Sequence, residues 1–284
     1  MTEESPKIDV LGIKDIPSVL PLQEQLRWNQ TARDWERVLL LATGGSFAAF
    51  DGRQLIGTVT TIQYADLAWI GMMLVDPAYR RRGVGRRLME AALAHLKGSG
   101  VKTIKLDATP AGRPLYEVFG FEPEALIERW ERPGTSNPIE ASEPVDGIGA
   151  AELKHLDQLA FRGDRSALLP LLIADSCVPP ITHRNSGGEL DGYALARDGS
   201  NAFYIGPVVA RTADCGLWLL DQMLDELRGR NVYIDVNTGF GLAPKTLGER
   251  GFRKQRDLTR MWLGSASGGG ISNMIFAIAG PELG

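Results

Sequence analysis

Two cysteines, Cys177 and Cys215, are all the thiols that 284 residues contain. That is too few for a disulfide framework, so a reducing compartment is expected. No apolar run is long enough to span a bilayer, and Met1 to Lys7 lacks the apolar core of a signal peptide. The chain therefore reads as cytoplasmic, with no membrane role. Charge of one sign is also scarce. Lys plus Arg (31) nearly balance Asp plus Glu (35), for a net −4 and a pI near 5.5, which argues against a general nucleic-acid binder.

What is present is ordinary globular material, 44% hydrophobic and 23% charged, in a length that suits two domains at roughly 100–200 residues each. Residues 132–147, rich in Pro, Gly, Ser and acids without apolar periodicity, read as a linker. The expected division is 1–132, a linker at 133–147, and a smaller domain at 148–284. Before the linker, the patterns predict a strand over 8–13, helices over 17–26 and 31–41, and strands over 46–50 and 55–64 joined at Asp51-Gly52. A strand over 68–75 follows, ended by Asp76-Pro77. Leu88, Ala92, Leu93 and Leu96 share one face of the next helix, which Gly98 and Gly100 end. Then come a strand over 101–106, a short helix over 114–119 and a strand to about Arg129. After the linker a helix over 150–173 is expected to break near Pro170.

The second half echoes the first. Gly251-Phe252 before Arg260 repeats Gly120-Phe121 before Arg129, Ile205-Gly206 repeats Ile70-Gly71, and Ile234-Asp235 repeats Leu106-Asp107. A worn duplication of one fold is the expected source of all three, with coincidence among common strand patterns the alternative.

The chemistry concentrates at Arg80-Arg81-Arg82-Gly83-Val84-Gly85, between a strand and a helix. The first turn of a helix leaves amide hydrogens without partners, and glycines let the backbone approach an anion closely, so this is a natural seat for a pyrophosphate. Arg86 and Arg87 add positive charge. The loop has neither the G-x-x-x-x-G-K-[ST] of nucleotide triphosphatases nor the G-x-G-x-x-G of dinucleotide folds.

Val75-Asp76-Pro77 running into Arg80-x-x-Gly83-x-Gly85, with Leu115-Tyr116-Glu117-Val118-Phe119-Gly120-Phe121 downstream, resembles the acetyl-CoA motif and the tyrosine motif of the GNAT superfamily. The resemblance covers residues 7–132. Trp28-Asn29-Gln30-Thr31, Trp69-Ile70-Gly71-Met72, Leu106-Asp107-Ala108-Thr109-Pro110, Phe161 with Asp164-Arg165, Tyr204-Ile205-Gly206-Pro207 and Ile275-Phe276-Ala277-Ile278 are similar to a bacterial subgroup in which a degenerate GNAT-like (YitH-like) domain follows. The resemblance implies an α/β (α+β) GNAT fold, a mixed, mostly antiparallel sheet flanked by helices, then a smaller degenerate copy. It implies acetyl-CoA or CoA as co-substrate, with no metal. Met73, Leu74 and Val75 would offer backbone groups to the acetyl and pantetheine parts. Arg80, Arg81, Arg82, Gly83, Val84, Gly85 and Arg86 would hold the pyrophosphate, and Thr109 and Tyr116 would complete the cofactor side.

Tyr116 is the expected general acid toward the departing thiolate, because a phenol stays protonated at neutral pH yet hydrogen-bonds sulfur. Three positions depart from the family pattern: Thr109 in place of a cofactor-binding asparagine, Val118 in place of a basic residue, and Gly71-Met72 where many members carry a carboxylate base. Asp107 is then the nearest candidate base, although a carboxylate there equally suits a turn cap or an arginine partner. His183 is a loop candidate for a cleft between domains; His95 and His155 read as surface or packing residues. Trp28, Asn29, Asp34 and Tyr64 are expected to line an acceptor pocket, since aromatic rings and carboxylates hold a cationic amine. The second half lacks the loop, with Ala210 to Gly216 carrying an acid and one glycine, and lacks the tyrosine, with Leu247 in its place. One cofactor site per chain follows. The expected activity is acetyl transfer to a small primary amine in a ternary complex. A protein or peptide amino group is the alternative acceptor, a non-catalytic acyl-CoA sensor the alternative class, and oligomeric state is open.

Overall fold

The computed structural model describes residues 6–135, 149–241, 244–265 and 273–284, so most of the expected linker lies outside the described residues. The first half runs β1 (Lys7–Val10), α1 (Ile16–Gln25), α2 (Ala32–Leu41), β2 (Phe47–Asp51), β3 (Gln54–Tyr64), β4 (Leu67–Val75), α3 (Val84–Lys97), β5 (Thr103–Ala108), α4 (Arg113–Val118) and β6 (Glu122–Arg132). The second runs α5 (Ala150–Phe161), α6 (Leu168–Ala174), β7 (Ile181–Arg184), β8 (Leu190–Arg197), β9 (Phe203–Ala210), α7 (Ala213–Glu226), β10 (Val232–Asn237), α8 (Pro244–Gly248), β11 (Arg253–Gly264) and β12 (Ile275–Ala277).

Local chemistry explains most boundaries. Thr31 caps α2, its hydroxyl accepting from the Asp34 amide while Asp34 answers to the Thr31 amide. The break expected near Pro170 falls earlier, at Arg162, which closes α5 in the left-handed conformation at φ 59°. Pro170 lies in the first turn of α6, where its missing N–H would have had no intrahelical partner.

The duplication is visible in the backbone. β4 and β5 pair in parallel only over Leu67 to Trp69, and β9 and β10 only over Phe203 to Ile205. Phe121 donates its amide to the Tyr116 carbonyl at 3.2 Å, and Phe252 to the Leu247 carbonyl at 3.1 Å, each after a glycine in positive φ.

The halves are nevertheless one sheet, in the order β1-β2-β3-β4-β5-β11-β6-β10-β12-β9-β8-β7. β11, from the second half, lies between β5 and β6 of the first, and β6 in turn pairs with β10. Each exchanged strand carries an arginine to the other half's aspartate. Arg129 on β6 grips Asp235 through Nε at 2.8 Å and Nη2 at 2.6 Å; Arg260 on β11 grips Asp107 at 2.8 and 2.7 Å. All four residues are buried or nearly so. Arg260 also lies over the Trp69 ring at 4.5 Å, and Arg129 over its counterpart Tyr204 at 5.9 Å.

Residues 278–284 continue from β12 across the first half. Trp69 Nε1 donates to the Pro281 carbonyl, Tyr64 Oη to that of Leu283, and Arg165 Nη1 to that of Gly284. A Cβ on Gly71 would lie 2.8 Å from the Glu282 Cα, so glycine at 71 is what lets this segment cross β4. Glu282 itself is held by Arg197 and Gln30. One apolar cluster joins the halves over this face, through Trp69, Tyr64, Leu156, Phe161, Tyr193 and Leu283.

Arg129→Ala and Arg260→Ala should each strand a buried carboxylate and lower unfolding free energy by about 3–5 kcal/mol, read by denaturant titration. An unchanged midpoint in both would refute the account of the crossed pairs. Gly71→Ala should lower unfolding free energy by about 1–3 kcal/mol through the displaced 280–284 segment, read by denaturant titration, whereas Gly248→Ala, with open space around its Cβ position and no positive φ, should cost less.

Candidate active site

The departure of β4 from β5 after Trp69 leaves the backbone edge of Ile70 to Val75 without a ladder partner on that side among the described residues. A bulge adds to the opening: Thr58 pairs with Leu74 and Thr60 with Gly71, so two residues of β4 stand opposite one of β3, with Met72 at φ 47°. Met73 and Val75 are half-buried, and Leu74 points into the core. The Thr58 hydroxyl donates to the Met72 carbonyl at 2.7 Å, fixing the bulge.

Beyond Val75, Asp76 accepts from the Ala78 amide and turns the chain into the arginine loop. Arg81 stands at φ 63° and Gly83 at φ 80°, and Gly83 is the N-cap of α3 with no side chain capping it. The first amides of α3 thus have no side-chain cap among the described residues, and exposed Arg80, Arg81, Arg82 and Arg86 flank them. Arg80 Nε donates to the Val75 carbonyl, Arg86 pairs with Glu90, and Arg82 lies over the Tyr79 ring. A Cβ at Gly85 would meet Leu115 of α4 at 3.3 Å, so Gly85 brings the loop and the tyrosine helix together.

Tyr116 is buried at 8% exposure, edge-on to Phe121, and burial alone pushes its phenol up to about 12. Thr109, expected on the cofactor, accepts from the Gly112 amide at 3.1 Å and shapes the start of α4. Val118, the departure from the basic position, is 71% exposed.

The structure gives the acceptor and base candidates read from sequence partners of their own. Both oxygens of Asp107 accept from Arg260, and burial raises its pKa despite that guanidinium, so its carboxylate is committed to a buried ion pair. Asp34 accepts from Arg37 and Arg197, which together hold its carboxyl below the usual range against the opposing effect of burial. Asn29 is spent on the amides of Asn201 and Ala202 and the Ala202 carbonyl, joining the halves. Tyr64 is buried against Phe161 with its hydroxyl on Leu283. Trp28 is half-buried against the shared core. The second half supplies these partners, which no local pattern reveals. Arg197 and Glu282, which carry no local signal, and Arg260, visible in the sequence only as an echo of Arg129, lie more than a hundred and fifty positions from Asp34 and Asp107 or from Gln30. His183 sits on β7, its ring bonded to Asp191. A depression of about 360 Å³ between α1 and Asp76 includes none of Met73, Gly83 and Tyr116 in its walls.

The second half has closed the equivalent opening. β12 lies between β9 and β10, pairing with both, and Phe276 fills the space over Gly216, where a Cβ would come within 2.5 Å of the ring. The amides at the start of α7 face a capping hydroxyl, Thr212, and an acid, Asp214. Leu247 is buried in the core at the place of Tyr116.

Comparison with known proteins agrees with this geometry. Residues 15–121 match the family described as Acetyltransferase (GNAT) family, and residues 153–277 the Acetyltransferase (GNAT) domain. An uncharacterized N-acetyltransferase YitH of Bacillus subtilis is 28% identical over 225 residues, 77% of this chain and 78% of the relative. The [Ribosomal protein bS18]-alanine N-acetyltransferase of Escherichia coli K12 is 30% identical over 47% of this chain and 92% of its own length. A solved structure of a putative acetyltransferase from Pyrococcus horikoshii shares the fold, with a TM-score of 0.82, 23% identity and coverage of 100% of this chain and 98% of that one. An open strand splay ending in an uncapped glycine loop, in a chain whose two halves both match, makes this protein a member of the GNAT acetyltransferase family, and an acyltransferase enzyme.

Proposed function

We propose that the chain transfers an acetyl group from acetyl-CoA to the primary amine of a small molecule, using one cofactor site in residues 1–132, with residues 148–284 shaping the acceptor side. The observation that carries the reading is the contrast between the two splays: open and uncapped in the first half, filled by β12 and side-chain capped in the second. In this reading the amides from Arg81 to Arg86 hold the pyrophosphate, and the arginines neutralise it. The backbone of Met73 and Val75 pairs with the acetyl carbonyl and pantetheine, as an added strand would.

Reaction is direct attack of the neutral amine on the thioester carbonyl; the C–N bond forms, the C–S bond breaks, and the thiolate leaves with the Tyr116 proton. A pKa near 12 keeps that phenol protonated at working pH. Holding the thioester and amine in near-attack geometry accounts for about 7–11 kcal/mol of barrier reduction. Gly71 and Met72 place no carboxylate on β4, and Asp107 is engaged by Arg260. We therefore assign amine deprotonation to water rather than to Asp107.

A small acceptor is favoured because segment 278–284 and Arg260 cover the β4 face at Trp69 and Gly71. The bS18 acetyltransferase matches less than half of this chain, so its acceptor class does not carry over to the whole two-half molecule. A peptide amino group is the second reading; acetylation of peptides in preference to a panel of small amines would establish it.

Calorimetry should give one acetyl-CoA per chain, with weaker binding in Arg81→Glu; no uptake by the folded protein would remove the enzymatic reading. Tyr116→Phe should lower kcat by about 10²–10⁴ with little change in acetyl-CoA affinity, and equal turnover would exclude Tyr116 as the acid. With water taking the proton, log kcat/KM should rise with unit slope toward the amine's own pKa of about 10. A plateau at a carboxylate-like pKa would instead call for a protein base.

A further inference from the structure

We propose that His183, Asp191 and Cys215 form a binding site for a divalent metal ion of the zinc type, joining the β7–β8 hairpin to the start of α7. Nitrogen, oxygen and sulfur donor atoms of these three residues all lie within 4.8 Å of one another. The His183 Nδ1 is 2.6 Å from Asp191 Oδ1, and the Cys215 Sγ is 3.8 Å from the same oxygen. Around a tetrahedral zinc, ligand atoms at the usual bond lengths stand about 3.3–3.6 Å apart. Shifts of about an ångström would therefore close the set.

The donors sit on rigid supports. Gly192 lets the sulfur reach Asp191, because a Cβ there would come within 2.4 Å of Sγ; the cysteine thus packs against the β8 backbone. Thr212 fixes the first turn of α7 through the Cys215 amide. Among the described residues this buried thiol meets Asp191 oxygens at 3.8 Å, the long contacts of a weak donor. The His183 side chain is 32% exposed beside Trp218, which provides an entry path and a place for a fourth, solvent ligand.

The donor types select the ion. One thiolate, one imidazole and one carboxylate suit zinc and its neighbours rather than calcium or magnesium. A carboxylate and a thiolate also neutralise a divalent charge. Burial and Asp191 push the Cys215 thiol up to about 12, so binding at neutral pH displaces the S–H proton to solvent as the metal–sulfur bond forms. Sequence separations of 8 and 24 residues leave no short motif to notice. The site is independent of the cofactor reading: its ligands belong to the half whose splay is filled.

Cobalt(II) titration of the full chain, freed of metal and kept reduced, tests it. Expected are saturation at one equivalent, a thiolate-to-cobalt charge-transfer band with tetrahedral ligand-field bands, proton release, and bleaching by zinc. Cys215→Ser should abolish the charge-transfer band, His183→Ala should weaken cobalt binding at least tenfold, and Cys177→Ser should change neither. Zinc should raise the thermal midpoint of the parent chain and not of the His183→Ala protein, whose part-exposed side chain leaves the fold intact. Absence of a charge-transfer band in the folded parent, or its persistence in Cys215→Ser, overturns the proposal.

Discussion

The two crossed arginine–aspartate pairs are the constraint around which the molecule is arranged. A strand from each half enters the sheet of the other, and its arginine meets a carboxylate that would otherwise be buried alone. Burying an unpaired charge is far costlier than burying a matched pair. Neither half can therefore complete its interior without the other, and register is tied to charge: sliding β11 by one residue would turn Arg260 to the opposite face. The same exchange places Arg260 of the second half over Trp69 of the first.

The duplicated parallel pair is a recurring geometric problem with two solutions. Parallel strands that separate after three residues expose backbone groups that must find partners. In the second half β12 supplies them, and Phe276 and Leu247 make the interior dry. In the first half that edge stays open and the start of α3 has no side-chain cap, and in the proposed function the cofactor takes up both. The loss of the arginine loop and the tyrosine from residues 148–284 is consistent with that division: where the wedge is filled by protein, nothing remains for phosphate-binding residues to hold.

Segment 278–284 links these themes. It leaves the filled splay, crosses β4 at Gly71 and ends among Trp69, Tyr64 and Arg165. The glycine in place of a strand carboxylate is thus explained by packing, and Glu282, buried with its pKa raised by desolvation, serves Arg197 and Gln30.

Much of the fold was legible in the chain. Thr31, Gly83, Asp76-Pro77 and the Gly-Phe pairs mark element ends by local rules, and the arginine-glycine loop and Tyr116 stand out because their chemistry is written within a few neighbouring residues. The echo of Arg129 in Arg260 and of Asp107 in Asp235 was equally visible as spacing. Its meaning was not, since a bidentate pair depends on which strand lies beside which. For that reason Asp107, Asp34, Asn29 and Tyr64, plausible site residues by type and position, turned out to be partners of distant groups, and three ligands spread over His183 to Cys215 carried no pattern at all. Local hydrogen bonding and hydrophobic period are decided within a dozen residues, so sequence determined the elements and the phosphate loop; strand exchange and burial act over hundreds, so only the tertiary structure decided which polar side chains were left to face a substrate.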